Sequence, residues 1–444
     1  MKRYKPITRA TRVNVPTSRV SKPMMFFVRF IARLYLCSFI STARVSLRGK
    51  EQLIDSFRRS LNKESRSILS FRHQNGAEPQ ILGWFVIYKL KRLAKKSGVK
   101  FARNPHLTFV HGYEVLRWGG PVARAVLPRL GALPVYHSKI DSDSMKKLFD
   151  AVFEGPHQLA IAPEGQVSYF TDSIPRIENG SIRIGFQAAE KLPPHCPVEL
   201  LPVSVLMHYG RHGERRMNRL LRRIERYVGT DPVNASFEER LRRCQDSIFT
   251  ANEKRYELVP EQDATFLDRA NTLIEAALES TERILHKPVK GEVLSRMHAL
   301  RQECWDRIFL PDPDSLDKMS ELERSLADLQ AGAAWYAGRH IELVDLLWYF
   351  RVPIPTDHSP LREKVEYVQN LWDLLNRTTG GAFSNRVNIP PDEVIISTES
   401  PINLSSRLDA YHHDRKSTIA AVAIELENAY RQSATSEKNE KVLP

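Results

Sequence analysis

Cysteine is scarce in this chain. The four present, Cys37, Cys196, Cys244 and Cys304, lie far apart among 444 residues and form no CxxC pair. That excludes a disulfide framework and a structural zinc site, and it suits free thiols in a reducing compartment. Acidic side chains are absent from residues 1–50, which carry twelve Lys or Arg, and the whole chain has a net charge of +14. A basic front end fits an anionic membrane surface or a nucleic acid. No aromatic-plus-basic module is present, which ranks a nucleic-acid binder last. No repeat of fixed period and no cluster of metal-ligating residues occurs either. The pair His412–His413 beside Asp414 lies in a polar stretch and reads as solvated surface.

Long apolar runs are also lacking. The best N-terminal candidate, MMFFVRFIARLYLCSFI (24–40), has seventeen residues. As a helix it would reach about 25 Å, short of the ~30 Å hydrocarbon core. Arg29 and Arg33 sit inside it, and each would cost about 2.5–3.5 kcal/mol at mid-bilayer. A helix lying in the interface keeps both guanidiniums wet while Phe26, Phe27, Phe30, Ile31 and Leu34 enter lipid. In-plane attachment is favoured over the two other readings, a cleaved targeting segment and a core helix.

The length exceeds the roughly 250–300 residues at which one core stops growing, so two units are expected. Residues 1–43 read as a basic tail with the amphipathic helix. From 44 to about 215, strand signals (RVSLRG, SRSILSF, LTFVHG, QLAIAPEG, VELLPVSVLMHYG) alternate with helical ones. This pattern predicts an α/β fold, a mixed and largely parallel sheet flanked by helices, with functional groups on loops leaving strand C-termini. Residues 216–444 read as a mostly helical region, with turn and strand signals returning at GGAFSNRVNIPPDEVIIS. The Arg-rich segment 212–227 reads as a solvated helix face. Trp335, Leu343, Leu346, Leu347 and Phe350 are spaced as a helix core stripe.

One short stretch asks for chemistry. FRHQNGAEPQ (71–80) follows a strand signal and precedes an amphipathic helix signal. With Pro79 at the first helical position, Glu78 falls at the N-cap. The loop can then fold back, with Gly76 permitting the reversal, and bring the Glu78 carboxylate to one imidazole nitrogen of His73. That bond would fix the tautomer and leave the other nitrogen as a base, without any protein nucleophile. One His and one Glu five apart are common, so this stretch alone does not make a site.

Other segments join it. RHQNGAEP resembles the His-x4-Asp block of the glycerolipid acyltransferase family, the 1-acylglycerol-3-phosphate O-acyltransferase-like enzymes, with Glu78 standing where an Asp is usual. RVSLRGKEQL (44–53) resembles the family's lead-in strand, LPRLGALPVYHSK (127–139) its second block and IAPEGQ (161–166) its Pro-Glu-Gly turn. ENGSIRIGFQAA (178–189) and VELLPVSV (198–205) resemble the segments that follow, so the likeness covers roughly residues 24–210.

The resemblance implies a glycerol-phosphate acyltransferase-like fold and a membrane-associated O-acyltransferase on the cytoplasmic face. Such an enzyme moves an acyl group from acyl-CoA or acyl-carrier protein, a co-substrate, to a hydroxyl of a glycerolipid or lysolipid. No other cofactor and no metal is implied. His73 would be the general base, oriented by Glu78. Glu164, Gly165 and Gly180 would line the acceptor's headgroup. His137, with Lys139 two positions on, stands where the family has a phosphate-binding Arg, and Gln166 replaces a usual Thr. Arg176 or Arg183 would then supply charge from farther along, and the acceptor pocket is altered. The alternative is a catalytically degenerate homologue that binds lipid or a protein partner.

Overall fold

The computed structural model describes residues 7–12, 17–37, 44–135, 142–165, 167–231, 234–312, 314–382 and 385–439. In chain order the strands are β1 (Ala10–Thr11), β2 (Arg44–Arg48), β3 (Arg66–Phe71), β4 (Leu107–Gly112), β5 (Leu133–Val135), β6 (Gln158–Ile161), β7 (Val198–His208), β8 (Phe309–Leu310), β9 (Glu393–Thr398) and β10 (Ile402–Asn403).

Two compact units divide the chain. The α/β unit takes Val15–Glu214, Leu361–Glu363 and Pro390–Pro444; the helical unit takes Met1–Asn14, Arg215–Pro360 and Lys364–Ile389. This differs from the expected boundaries at both ends. The segment before residue 15 belongs with the helices, because β1 pairs in parallel with β8 and Arg12 bonds Asp306 at 2.8 Å. The last fifty-five residues (390–444) return to the sheet, so 216–444 is not one helical region.

The main sheet has the order β2-β9-β7-β3-β6-β4-β5. β7, β3, β6, β4 and β5 run parallel, while β9 is antiparallel to β7 and carries β2 alongside it in its own direction. The sheet is therefore mixed and mostly parallel, as the alternation of strand and helix signals implies. Ile68, Leu69 and Phe71 of β3, and Val198, Leu200, Leu201, Val203, Val205 and Leu206 of β7, are all buried. Such near-continuous apolar runs mark central strands covered on both faces. β10 continues the antiparallel ladder on β7 after an offset: Thr398 faces Val203 and Ile402 faces Leu200, four residues on one side against three on the other. The extra residue is a β-bulge, and it lies beside Pro401, which cannot donate to a ladder.

Helices cover both faces. Phe186, on the helix Gly180–Ala189, stacks on Tyr411 at 4.2 Å within a core that also takes in Ile68, Leu159, Ile402, Leu426 and Tyr430. In the helical unit, capping boxes at Thr265/Asp268 and Ser320/Glu323 open the helices Phe266–Leu285 and Glu321–Tyr349. Of the expected stripe, Leu343, Leu347 and Phe350 are buried, but Trp335 and Leu346 are half-buried. Ala331, Ala334, Ala337, Ile341 and Val344 fill the interior instead, because small residues let the two long helices approach closely.

The N-terminal helix spans Lys22–Tyr35. Phe26, Phe27, Phe30 and Leu34 are each about three-fifths exposed or more, and Ile31 is exposed too. Tyr88 donates to the carbonyl of Met25 at 3.1 Å and Ser21 N–H to that of Arg129 at 2.8 Å, which ties this helix to the α/β unit. Among the described residues, no helix is long and apolar enough to cross a membrane.

At the N-terminal ends of β4 and β6, His106 and His157 lie edge to face with ring centroids 4.8 Å apart, and His106 bonds the carbonyl of Leu130 at 2.8 Å. Burial pushes the His106 imidazole down, and burial, with His106 and Arg103 adding repulsion, pushes His157 down to about 4. Both rings resist protonation in the folded chain more than unfolded imidazoles, which take up protons below about pH 6.5. The stability this pair contributes is therefore fully present above about pH 6.5 and is lost as pH falls towards 4. Urea unfolding at pH 7 and pH 5 should differ by about 1–2 kcal/mol from this pair after solvent screening, and His157→Asn should reduce that difference.

Candidate active site

Adjacent parallel strands bring the site together. β3 and β6 pair with Ser70 opposite Ile161, and three residues further along each chain segment, just past the strand ends, come His73 and Glu164. Equal extension from one rung places both at the same C-terminal edge of the sheet, where α/β folds carry their sites. The backbone links them directly: His73 N–H donates to Glu164 Oε1 at 3.2 Å, and Ser168 N–H donates to the His73 carbonyl at 2.8 Å.

Side-chain alternation along β3 then sorts the neighbours. Phe71 and His73 share one face, with rings 5.8 Å apart, and Phe71 meets Phe109 of β4 at 5.9 Å. Ser70 and Arg72 share the other. There Tyr430, from the helix Arg415–Asn439, donates its hydroxyl to Ser70 Oγ at 3.0 Å and sets its ring 5.9 Å from the Arg72 guanidinium. Burial pushes the Tyr430 phenol pKa up, so it serves as a neutral donor.

The loop 74–77 folds around Glu78. The carboxylate accepts from Gln74 N–H at 3.1 Å, Asn75 N–H at 2.5 Å, Gly76 N–H at 2.8 Å, and meets His73 Nδ1 at 3.0 Å. Gly76 has φ +92°, the left-handed reversal that this fold-back needs. Glu78 is the first residue of the helix Glu78–Phe85, with Ala77 at the N-cap and Pro79 second. This corrects the expected frame by one position, because the cap here is the whole loop backbone rather than one side chain. Three N–H groups of the loop ahead of the helix converge on one buried carboxylate, and a negative charge at the first helical residue also suits the helix dipole. A carboxylate has no hydrogen to give, so Nδ1–H is the donor, and in the neutral imidazole the lone pair then lies on Nε2. The Glu78 side chain is fully buried, while that of His73 is 21 % exposed. The extra methylene of Glu over Asp fits this cage, since 3.0 Å lies inside hydrogen-bond range.

Arg72 is the residue that sequence reasoning missed. Its guanidinium is 1 % exposed and pairs with Glu164 at 2.5 Å. The same group donates to the carbonyls of Thr171 at 3.2 Å and Phe170 at 3.0 Å and to Ser168 Oγ at 3.3 Å. Glu164, expected at an acceptor headgroup, is therefore buried and committed to Arg72 and to the His73 backbone. Gly165 turns the chain at φ +73°. Glu178 N–H donates to the Pro163 carbonyl at 2.7 Å, which brings the start of the Gly180–Ala189 helix against that turn. A Cβ at Gly180 would meet nothing within 4 Å, so the fold does not require glycine there. Arg176 and Arg183 are exposed. His137, Lys139 and Gln166 lie outside the described residues. Among the described residues, no group of three or more His, Cys, Asp or Glu is placed to hold a metal ion.

Compared with known proteins, the chain matches no family model, no curated protein and no solved structure.

Breaking a buried ion pair from one side leaves an uncompensated charge, which costs about 3–5 kcal/mol, whereas replacing both partners is often nearly neutral. Arg72→Met should lower unfolding free energy by about that amount. The double variant Arg72→Met, Glu164→Gln should recover more than half of it, as read by denaturant titration.

Proposed function

We propose that the α/β unit is an O-acyltransferase of the glycerolipid type, moving an acyl group from acyl-CoA or acyl-carrier protein to a hydroxyl of a glycerolipid or lysolipid. The observation that carries this reading is the His73–Glu78 contact at the exit of β3, beside the Pro-Glu-Gly turn leaving β6. Such a pair supplies a base with a fixed tautomer. Nε2 takes the proton of the acceptor hydroxyl as its oxygen attacks the thioester carbonyl, and the Glu78 carboxylate stabilises the imidazolium that forms. Collapse of the tetrahedral intermediate breaks the C–S bond, and the imidazolium returns the proton to the leaving thiolate. The ester and the free thiol account for every atom, and no acyl-enzyme is needed.

The acceptor is taken from an anionic membrane surface on the cytoplasmic side. Support comes from the Lys22–Tyr35 helix, whose exposed Phe26, Phe27, Phe30 and Leu34 accompany Lys22 and Arg29 in a segment without acids. Its contact with Tyr88 is ten residues along from Glu78 on one continuous helical run, about 15 Å of rise. Lipid held by that helix lies within a molecule's length of the base.

A second reading, a lipid- or partner-binding homologue without catalysis, draws on Glu164, which Arg72 engages instead of an acceptor. Replacing His73 separates the two. In purified protein given acyl-CoA and lysolipid acceptors, His73→Ala should lower kcat by about 10²–10⁴-fold; an unchanged rate would remove the catalytic reading. Glu78→Gln should lower kcat and shift the pH profile, since the amide cannot compensate an imidazolium. Separately, Phe26→Ser with Phe30→Ser should abolish flotation with anionic vesicles. The unmodified protein should float even at high salt, because buried rings are not screened.

A further inference from the structure

Among the described residues between β6 and the Gly180–Ala189 helix there is neither helix nor strand, yet they are held at many points. Arg72 grips Ser168 Oγ and the carbonyls of Phe170 and Thr171 from beneath, and Ser168 N–H bonds the His73 carbonyl. Ser168, Phe170 and Thr171 are buried, whereas Tyr169 between them is half-buried.

Tyr169 also has φ +59°. Four other non-glycine residues among those described share a positive φ: Lys63, Asn234, Glu257 and His286. Lys63 and Glu257 directly follow the C-caps of helices ending at Leu61 and Arg255, and His286 is itself the C-cap of the helix ending at Leu285. Left-handed backbone is the common ending there. Asn is the side chain that tolerates it best. Tyr169 fits neither case. A bulky aromatic occupies a strained position one residue from the hydrogen bond to the His73 carbonyl, where glycine would sit without strain. Strain of this kind persists only where the surroundings enforce it, and it clusters at ligand sites.

We propose that Tyr169 is a specificity-determining residue for the acyl acceptor, its ring forming the wall of the acceptor site beside His73. The proposal rests on the acyl-transfer reading and adds which residue selects the acceptor. An apolar ring with a phenolic tip suits a lysolipid: the face packs on the C–H surface of the glycerol and the hydroxyl bonds the polar headgroup. Arg72 acts at one remove, fixing the backbone on either side of the ring.

The test uses the full-length protein with Tyr169→Gly, Tyr169→Phe and, as a control for relieved strain away from the site, Lys63→Gly. Acceptor and donor kinetics are measured over a panel of lysolipids, together with Tm and with calorimetric binding of lysolipid below its micelle concentration. Tyr169→Gly should melt at or above the original Tm, as should Lys63→Gly. It should raise the acceptor KM about tenfold or more, with the donor KM unchanged. Tyr169→Phe should fall between and lose discrimination among headgroups. An unchanged acceptor KM in Tyr169→Gly overturns the proposal, as does a Tm well below both the original and that of Lys63→Gly, which would make the ring core packing. Should the original protein turn over no acceptor, the acyl-transfer reading fails and binding decides. Lysolipid binding that weakens about tenfold in Tyr169→Gly sustains the assignment of the ring, and binding that is absent or unaltered overturns it.

Discussion

The carboxylate of Glu78 is the point on which the site depends. Three successive backbone N–H groups and an imidazole converge on its two oxygens. Each donor on its own is an ordinary loop group. Together they turn a flexible five-residue span into a fixed geometry, because a buried carboxylate left without donors would be costly and the loop is the nearest source of them. The same bonds do two jobs. They start the helix that packs against Phe109 through Gly83, and they hold the His73 ring in one tautomer. Folding and the orientation of the imidazole are coupled in one group.

A second buried charge supports the first from below. Arg72 is separated from His73 by one peptide bond, yet strand alternation sends the two side chains to opposite faces of the sheet. A lysine in that place could meet Glu164 but could not also reach Ser168, Phe170 and Thr171, since it lacks a planar fork of five donors. The guanidinium therefore sets the path of the loop after the Pro-Glu-Gly turn, and the His73 peptide, bonded on one side to Glu164 and on the other to Ser168, is clamped by that loop. The surroundings of His73 are thus set by backbone placement as much as by side chains.

Much of this was legible in the sequence because it is local. The strand exits at His73 and at Glu164, the reversal at Gly76 and the alternation of strand and helix signals each follow from neighbours within a few residues. The near-continuous apolar run of β7 likewise marks a central strand. What was not legible is what depends on partners far along the chain. Arg72 looks like one more exposed cation among sixty-six basic residues until Tyr430, Ser168 and Glu164 surround it. The domain boundary was misplaced for the same reason. β9 has a strand's composition, but nothing local says that it pairs with β7 nearly two hundred residues earlier, or that it carries β2 on its other side.

That long-range closure bears on the site as well. β9 covers the C-terminal half of one side of β7 and β10 the other half, so the strand next to β3 is paired along most of its length on both sides only when the end of the chain has returned. The helix after β10 then brings Tyr430 onto Ser70 and over Arg72. A buried guanidinium is tolerable only in a shell that excludes water and satisfies its donors, and part of that shell is contributed by residues beyond 400. The first block of the site and the last helix of the chain are thus one structural element, although some 340 residues separate Arg72 from the start of the helix Arg415–Asn439. The geometry at His73 is complete only when the whole α/β unit has closed, and the intervening helical unit is an insertion into that unit, because the chain leaves the sheet after β7 and comes back to it at β9.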